Sequence, residues 1–145
     1  MLGIVVFIFS FILVGCSHNT ESKDHSASVK FDQYYLQGEQ LYQTNCSNCH
    51  QKNGGGLGRL YPPLNNSDFL QNNVEEVICL MKNGRKGELI VNGKSFNKAM
   101  PAIPSLTDLE IAEISTYIYN TWQNNTGNIV EVKQVSAVLA KCKSN

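Results

Sequence analysis

The residues best placed to do chemistry form the pentapeptide Cys46-Ser47-Asn48-Cys49-His50. Two cysteines three positions apart lie on the same side of a helical turn, so both thiols can bond one flat ligand through its two vinyl groups. The adjacent histidine can then bind a metal at the centre of that ligand. This C-x-x-C-H spacing is the attachment sequence for c-type haem. It predicts one covalent haem c, with His50 as an iron ligand.

Three other chemistries share the C-x-x-C spacing. A redox-active cysteine pair would favour a βαβ pattern around the motif, and a structural zinc site would need a second ligand pair at short spacing. The sequence has neither pattern. A structural disulfide between Cys46 and Cys49 would leave His50 without a role. A haem-free metal or thiol module is therefore the less favoured alternative.

The composition limits the classes of partner. The chain has 145 residues, with 12 basic and 12 acidic side chains and a formal net charge of zero. This length predicts one domain, and the charge argues against nucleic acid as a partner, because nucleic-acid binding depends on clustered basic groups. After residue 15 the chain is lean in hydrophobic side chains for a packed domain, which favours a core completed by another group.

The N-terminal segment predicts export. Residues 2–14 are almost wholly apolar but too few to cross a membrane as a helix, which needs about 20 residues. They have the length of a signal-peptide core, and Leu13-Val14-Gly15-Cys16 resembles the lipobox of bacterial lipoproteins. We expect a signal peptide at 1–15 and a lipid on Cys16 that anchors the protein to a membrane, facing the periplasm. A flexible polar tether would follow, over 16–30. Simple secretion with an incidental Cys16 is the alternative.

The order of motifs from about Phe31 to Trp122 resembles the class I c-type cytochromes. Gly38 and Tyr42 stand where that family has a glycine and an aromatic residue four positions apart, on the helix before the haem motif. The glycine allows a second helix, predicted over 108–122, to approach closely. The resemblance implies a mostly α class I cytochrome c fold over 31–145, built around one haem.

Local patterns predict the remaining elements. Thr107 and Glu110 have the spacing of a capping box at the start of the 108–122 helix. Apolar residues at helical spacing predict two more helices, and an Asn-Gly pair flanked by two three-residue segments predicts a hairpin. These elements are a helix over 74–82 that ends at Gly84, a small β-hairpin of strands 89–91 and 94–96, and an extra C-terminal helix over 132–142.

The resemblance also implies two residues beside the haem. In the family, a proline carbonyl accepts a hydrogen bond from the haem-ligating histidine, and by spacing this residue is Pro62 rather than Pro63. Met100, which is followed by a proline in the loop after the hairpin, resembles the family's distal iron ligand. Met81 is the other candidate, but it falls on the apolar stripe of the 74–82 helix and is predicted to be a core residue.

The resemblance implies a one-electron carrier and not an enzyme. Iron ligands from both His50 and Met100 would leave no open site for a small-molecule substrate. The segment 83–114 is also similar to cytochrome domains associated with copper nitrite reductases, terminal oxidases and quinoprotein dehydrogenases, which implies redox partner proteins. A haem enzyme or gas sensor with a labile distal methionine is the alternative. Residues 46–100 carry a net charge of +3, either as a solvated face or as a docking surface for an acidic partner.

Cys79 and Cys142 are the two cysteines left after the lipid and the haem are assigned. Cys79 lies off the apolar stripe of its helix, and Cys142 lies on the stripe of the C-terminal helix, so the second helix could cover the first. Because exported proteins meet an oxidising compartment, two neighbouring thiols would persist as a disulfide. Two free core thiols and an intermolecular bridge through Cys142 are the alternatives.

Overall fold

Helices dominate the part of the chain that the computed structural model describes, residues 22–142. The predicted signal peptide and Cys16 lie outside the described residues. The mostly α fold with one small hairpin and an extra C-terminal helix is confirmed. In chain order the elements are α1 (Ser22–Asn45), α2 (Ser47–His50), α3 (Asp68–Asn72), α4 (Val74–Asn83), β1 (Leu89–Val91), β2 (Lys94–Phe96), α5 (Asp108–Asn120) and α6 (Val132–Leu139). No helix among residues 22–142 is both long enough and apolar enough to span a membrane.

The crossing of α1 and α5 is the most extensive helix contact in the described chain. Gly38 is buried there, and a Cβ on it would overlap the backbone carbonyl of Glu113 and lie 2.9 Å from Tyr117 Cβ. Any larger residue would push the helices apart. The rings of Tyr42 and Tyr117 pack beside this contact, with centroids 5.4 Å apart. The predicted glycine-mediated crossing is therefore present.

The two ends of α5 differ in how well the sequence predicts them. At the start, Thr107 Oγ1 accepts a hydrogen bond from the Glu110 N–H, and the Glu110 carboxylate accepts one from the Thr107 N–H, so the capping box is confirmed. At the other end, the prediction of a helix through Trp122 is wrong by two residues. Trp122 has a φ of 55° and its Nε1 donates to Lys52 O over 3.2 Å, which requires the chain to leave the helix first.

The C-terminal helix α6 packs its buried residues Val135 and Val138 against α4 and α5. Cys142, just after α6, is joined by a disulfide to Cys79 on α4, with their Cα atoms 5.7 Å apart. An ion pair of 2.6 Å between Lys30 and Glu131 ties the start of the C-terminal segment to α1. The C-terminal extension is thus fastened to two different helices.

The predicted flexible tether needs a correction. Residues 22–30 lie within α1, so the helix begins before the predicted domain boundary at residue 31. Once residues 31–45 are helical, adding further residues costs little, because nucleation and not propagation is the unfavourable step. The Lys30–Glu131 ion pair also holds this part of α1 against a segment about a hundred residues away in sequence.

We expect Gly38→Ala to lower the free energy of unfolding by about 1–3 kcal/mol, the usual cost of overpacking a tight contact. Denaturant unfolding of the haem-loaded protein measures it. Gln37→Ala is the matched control, because Gln37 is exposed on the same helix and its change to alanine leaves the crossing intact. Equal stabilities for the two variants would contradict the close-contact role of Gly38.

We expect the denatured, unreduced, haem-loaded protein to contain no alkylatable thiol at Cys79 or Cys142. Reduction should then add two alkyl groups, and it should lower the free energy of unfolding by roughly 4 kcal/mol in the chain-entropy model. Mass spectrometry after alkylation, with and without reductant, tests this. Two free thiols in the unreduced protein would show that the bridge does not form in solution.

Candidate haem site

The C-x-x-C-H motif extends α1 by one further turn. The Cys46 N–H donates to Tyr42 O over 2.9 Å, and the His50 N–H donates to Cys46 O over 3.0 Å. Helical geometry therefore continues through the motif and places the thiols and the imidazole on one wall. Cys46 and Cys49 are both free thiols in the structure, so the alternative disulfide between them is absent.

The loop after the motif holds the imidazole of His50. Its Nδ1 lies 3.0 Å from Pro62 O, so the structure brings together the two residues that the resemblance pairs. Gly56 keeps the loop tight, since its φ of 67° favours glycine and a Cβ there would lie 2.7 Å from backbone atoms of Pro62. The Gly56 N–H also donates to His50 O over 3.0 Å. The position of the Pro62 carbonyl is therefore fixed by the backbone.

Asn124 is a site residue that the sequence analysis missed. Its side chain is buried, accepts a hydrogen bond from the Asn66 N–H at 3.1 Å, and donates to both Leu64 O at 2.7 Å and Ile118 O at 3.0 Å. It thereby connects the histidine loop to the C-terminal part of α5. The local sequence does not indicate that Asn124 is buried, because its partners in the histidine loop lie about 60 residues away.

The methionine side of the site is built on the end of α4. Met100 and Arg85 form an isolated antiparallel bridge in which each N–H donates to the other's carbonyl, at 3.0 and 2.9 Å. Beyond the methionine, the Ile103 N–H donates to Met81 O over 3.1 Å. Lys82 Nζ donates to Leu106 O over 2.6 Å. The Met100 loop is therefore held at several points along α4.

Between the two walls lies an apolar cavity that is partly open to solvent; its empty space, with the solvent-open part included, is about 600 Å³. The lining residues are mostly apolar and come from all parts of the fold. They include Tyr42, Cys46, His50, Pro62, Leu64, Phe69, Val77, Leu80, Met81, Val91, Met100, Ile114 and Ile118.

A second chamber, also partly open to solvent, borders the same residues His50, Leu80 and Met100. Two buried side chains of the hairpin, Val91 and Phe96, line the first and the second chamber respectively. The hairpin is therefore the cover of a crevice that runs between the histidine and methionine walls.

Burial sets the charge state of the groups in the crevice. It lowers the pKa of His50, which is only partly offset by the hydrogen bond to Pro62 O. The imidazole is therefore neutral at neutral pH, the form that binds metals. Burial also raises the pKa of the Cys46 thiol to about 12. A hydrogen bond with Cys49 raises the pKa of the Tyr61 phenol.

These features fit a covalently attached haem. The crevice is apolar enough to exclude water from a porphyrin, both thiols border it, and a neutral, oriented imidazole faces it. Cys46 and Cys49 would hold the group, and His50 would bind its iron. Met81 also lines the cavity but is buried on the core face of α4, as predicted.

Residues 34–118 match the family model described as cytochrome c oxidase, cbb3-type, subunit III. This match covers more than half of the chain and includes the C-x-x-C-H motif, Pro62 and Met100. The chain belongs to this family of c-type cytochrome domains. Its cofactor is haem c, held covalently, and it is an electron-transfer haem protein, as the resemblance implied.

Individual relatives agree with this assignment. A cytochrome c-552 of Thermus thermophilus is 32% identical over 89 residues, which cover 59% of this chain and 67% of that protein. The cytochrome c subunit of the quinone-dependent alcohol dehydrogenase of Gluconacetobacter polyoxogenes is 25% identical over 104 residues. This second match covers 68% of the present chain but only 21% of the subunit. The similarity to the dehydrogenase subunit is therefore limited to one part of it.

Proposed function

We propose that this protein is a one-electron carrier whose haem iron is bound by His50 and Met100. The observation that carries this proposal is that both side chains line the same apolar cavity from different walls. Haem bound there supplies a ferric–ferrous couple that exchanges one electron. If His50 and Met100 both bound the iron, no coordination position would remain for a substrate.

The hydrogen bond from His50 determines which ring nitrogen is available to a metal. Because Nδ1 faces Pro62 O at 3.0 Å, the proton belongs on Nδ1 and the lone pair on Nε2. This bond fixes the orientation of the ring and raises its basicity toward a metal. Pro62 thus acts through its backbone carbonyl.

Met100 distinguishes a carrier from a gas sensor or haem enzyme. A thioether ligand favours ferrous iron and raises the reduction potential, while a sensor needs a distal ligand that leaves easily. The Met100 backbone is paired in both directions with Arg85, and the following turn is bonded to Met81 O. Such a firmly held loop supports the carrier.

We propose redox proteins as the donor and the acceptor. The matched family is named after a subunit of a terminal oxidase, and one relative is a subunit of a quinone-dependent dehydrogenase, which supports an oxidase as acceptor and membrane dehydrogenases as donors. A copper nitrite reductase stays a prediction of the sequence analysis. Lys98 is exposed and borders the second chamber. With the net positive charge of residues 46–100, this supports docking of an acidic partner at the crevice mouth.

We also propose that the protein is an exported lipoprotein anchored through Cys16. This rests on the lipobox-like sequence at 13–16 alone. The described helix α1 begins at Ser22, so five residues separate it from the lipidated position. The six Cα–Cα steps from Cys16 to Ser22 could reach at most about 20 Å. The domain would therefore lie close to the membrane surface and to membrane-bound partners.

We expect Met100→Ala to keep its covalent haem but to bind carbon monoxide readily. Its reduction potential should fall by on the order of 0.2 V, a fraction of the roughly 0.8 V that axial ligands span. Redox titration and carbon monoxide difference spectra measure both effects. Met81→Leu is the matched control, because Met81 lines the same cavity and a similar-sized apolar residue leaves the distal ligand in place. A wild-type protein that binds carbon monoxide as readily as Met100→Ala would favour the sensor or enzyme.

We expect Cys16→Ser to move the protein from the membrane to the soluble periplasmic fraction, or to stop its export, with the visible spectrum of any mature protein unchanged. Cell fractionation and mass spectrometry of the mature N-terminus measure this. Ser17→Ala is the control, since it keeps the cysteine. Recovery of Cys16→Ser in the membrane fraction, or an unlipidated Cys16 in the wild type, would refute the anchor.

A further inference from the structure

Arg85 lies just after α4, at the border of the second chamber, with 27% of its side chain exposed. Its Nη1 donates to Glu76 Oε1 over 2.7 Å, and its Nη2 donates to Glu88 O over 3.0 Å. The third nitrogen, Nε, is buried and has no hydrogen-bond partner among residues 27–142. Two of the three guanidinium nitrogens thus donate to protein acceptors, and Nε does not.

A buried donor without an acceptor is costly. The penalty for a neutral group is about 1–3 kcal/mol, and it is larger for a charged one. Buried polar atoms in folded proteins almost always have a partner. The unpaired Nε of Arg85 therefore points to an acceptor that is not part of the polypeptide.

The chemistry of the cofactor identifies that acceptor. Haem carries two carboxylate groups, and a carboxylate beside an apolar crevice requires a cation or several donors. The residues that line the two chambers include only two with permanent cations, Arg85 and Lys98. Lys98 is exposed, so solvent hydrates its ammonium group. A planar guanidinium with a free, buried N–H suits a carboxylate better.

We infer that Arg85 binds a carboxylate group of the haem through Nε and thereby raises the reduction potential of the iron. This inference rests on the haem site proposed above. Arg85 is a positioning residue, because it acts on the iron through charge and through the seating of the porphyrin. Glu76, bonded to the opposite side of the guanidinium, offsets part of its positive charge.

The same residue links this contact to the distal ligand. The backbone of Arg85 exchanges two hydrogen bonds with Met100, so a side chain fixed on the porphyrin edge holds the methionine loop at a set distance from the ring. A cation near the iron favours the ferrous form, which carries one positive charge fewer. Loss of Arg85 removes that cation and also leaves the carboxylate without its partner. Both changes lower the potential.

The test compares Arg85→Met with Arg85→Lys in the haem-loaded protein near neutral pH. Two quantities are measured: the midpoint potential, and the carboxylate bending bands of the haem side chains in the resonance Raman spectrum. In Arg85→Met we expect a shifted bending band and a ferrous-to-ferric ratio about tenfold lower at a given applied potential. For one electron, this equals a fall of about 59 mV. Arg85→Lys keeps the charge and should recover most of the potential, but not the band position.

Lys94→Met is the matched control. Lys94 is an exposed cation on the hairpin that borders neither chamber. The Lys94→Met variant should change neither the bending bands nor the potential to a comparable extent. Unchanged bands in Arg85→Met would overturn the contact, whether or not the potential moves. A shifted band with an unchanged or higher potential would overturn the claim about the iron.

If Arg85→Met does not mature, Glu76→Gln replaces it as the test. Removing the competing carboxylate should strengthen the Nε contact, raise the potential and shift the bending band in the opposite sense. An unmoved band in this variant would also overturn the inference. Failure of the inference is distinct from failure of the proposed function, because the low-spin spectrum of the wild type with methionine as sixth ligand tests the latter alone.

Discussion

The apolar cavity between α1, α4 and α5 is the constraint on which the rest of the structure depends. Its walls include buried residues of α4 and α5, and its lining is almost wholly apolar. Such a lining suits a large hydrophobic group such as a porphyrin. The lean hydrophobic content of the sequence agrees with a core that a porphyrin completes.

The walls of this cavity are held by backbone groups more than by side chains. The imidazole is oriented by a carbonyl, that of Pro62, and Met100 is held by the main chain of Arg85. Backbone groups stay in place when surface side chains vary. Such an arrangement would allow the outer surface to change without moving the site.

The sequence predicted what local patterns encode and missed what distant contacts decide. The family resemblance implied Gly38 at the helix crossing, and local spacing predicted the capping box at Thr107, because a close approach and a helix start each need particular residue types. It did not predict the early start of α1, which is held by an ion pair between residues 101 positions apart. It also missed the burial of Asn124 and the unpaired nitrogen of Arg85. Each of these depends on atoms that become neighbours only after folding.

The disulfide between Cys79 and Cys142 closes a covalent ring of the main chain. The hairpin, the Met100 loop and α5 all lie inside this ring, while the haem-bearing motif lies outside it. Pro101 and Ala102, which follow Met100 within this ring, are exposed. A single cut there would open the ring without releasing a fragment. The nicked molecule would keep α6 bonded to α4, with Met100 still attached to the half that carries the haem.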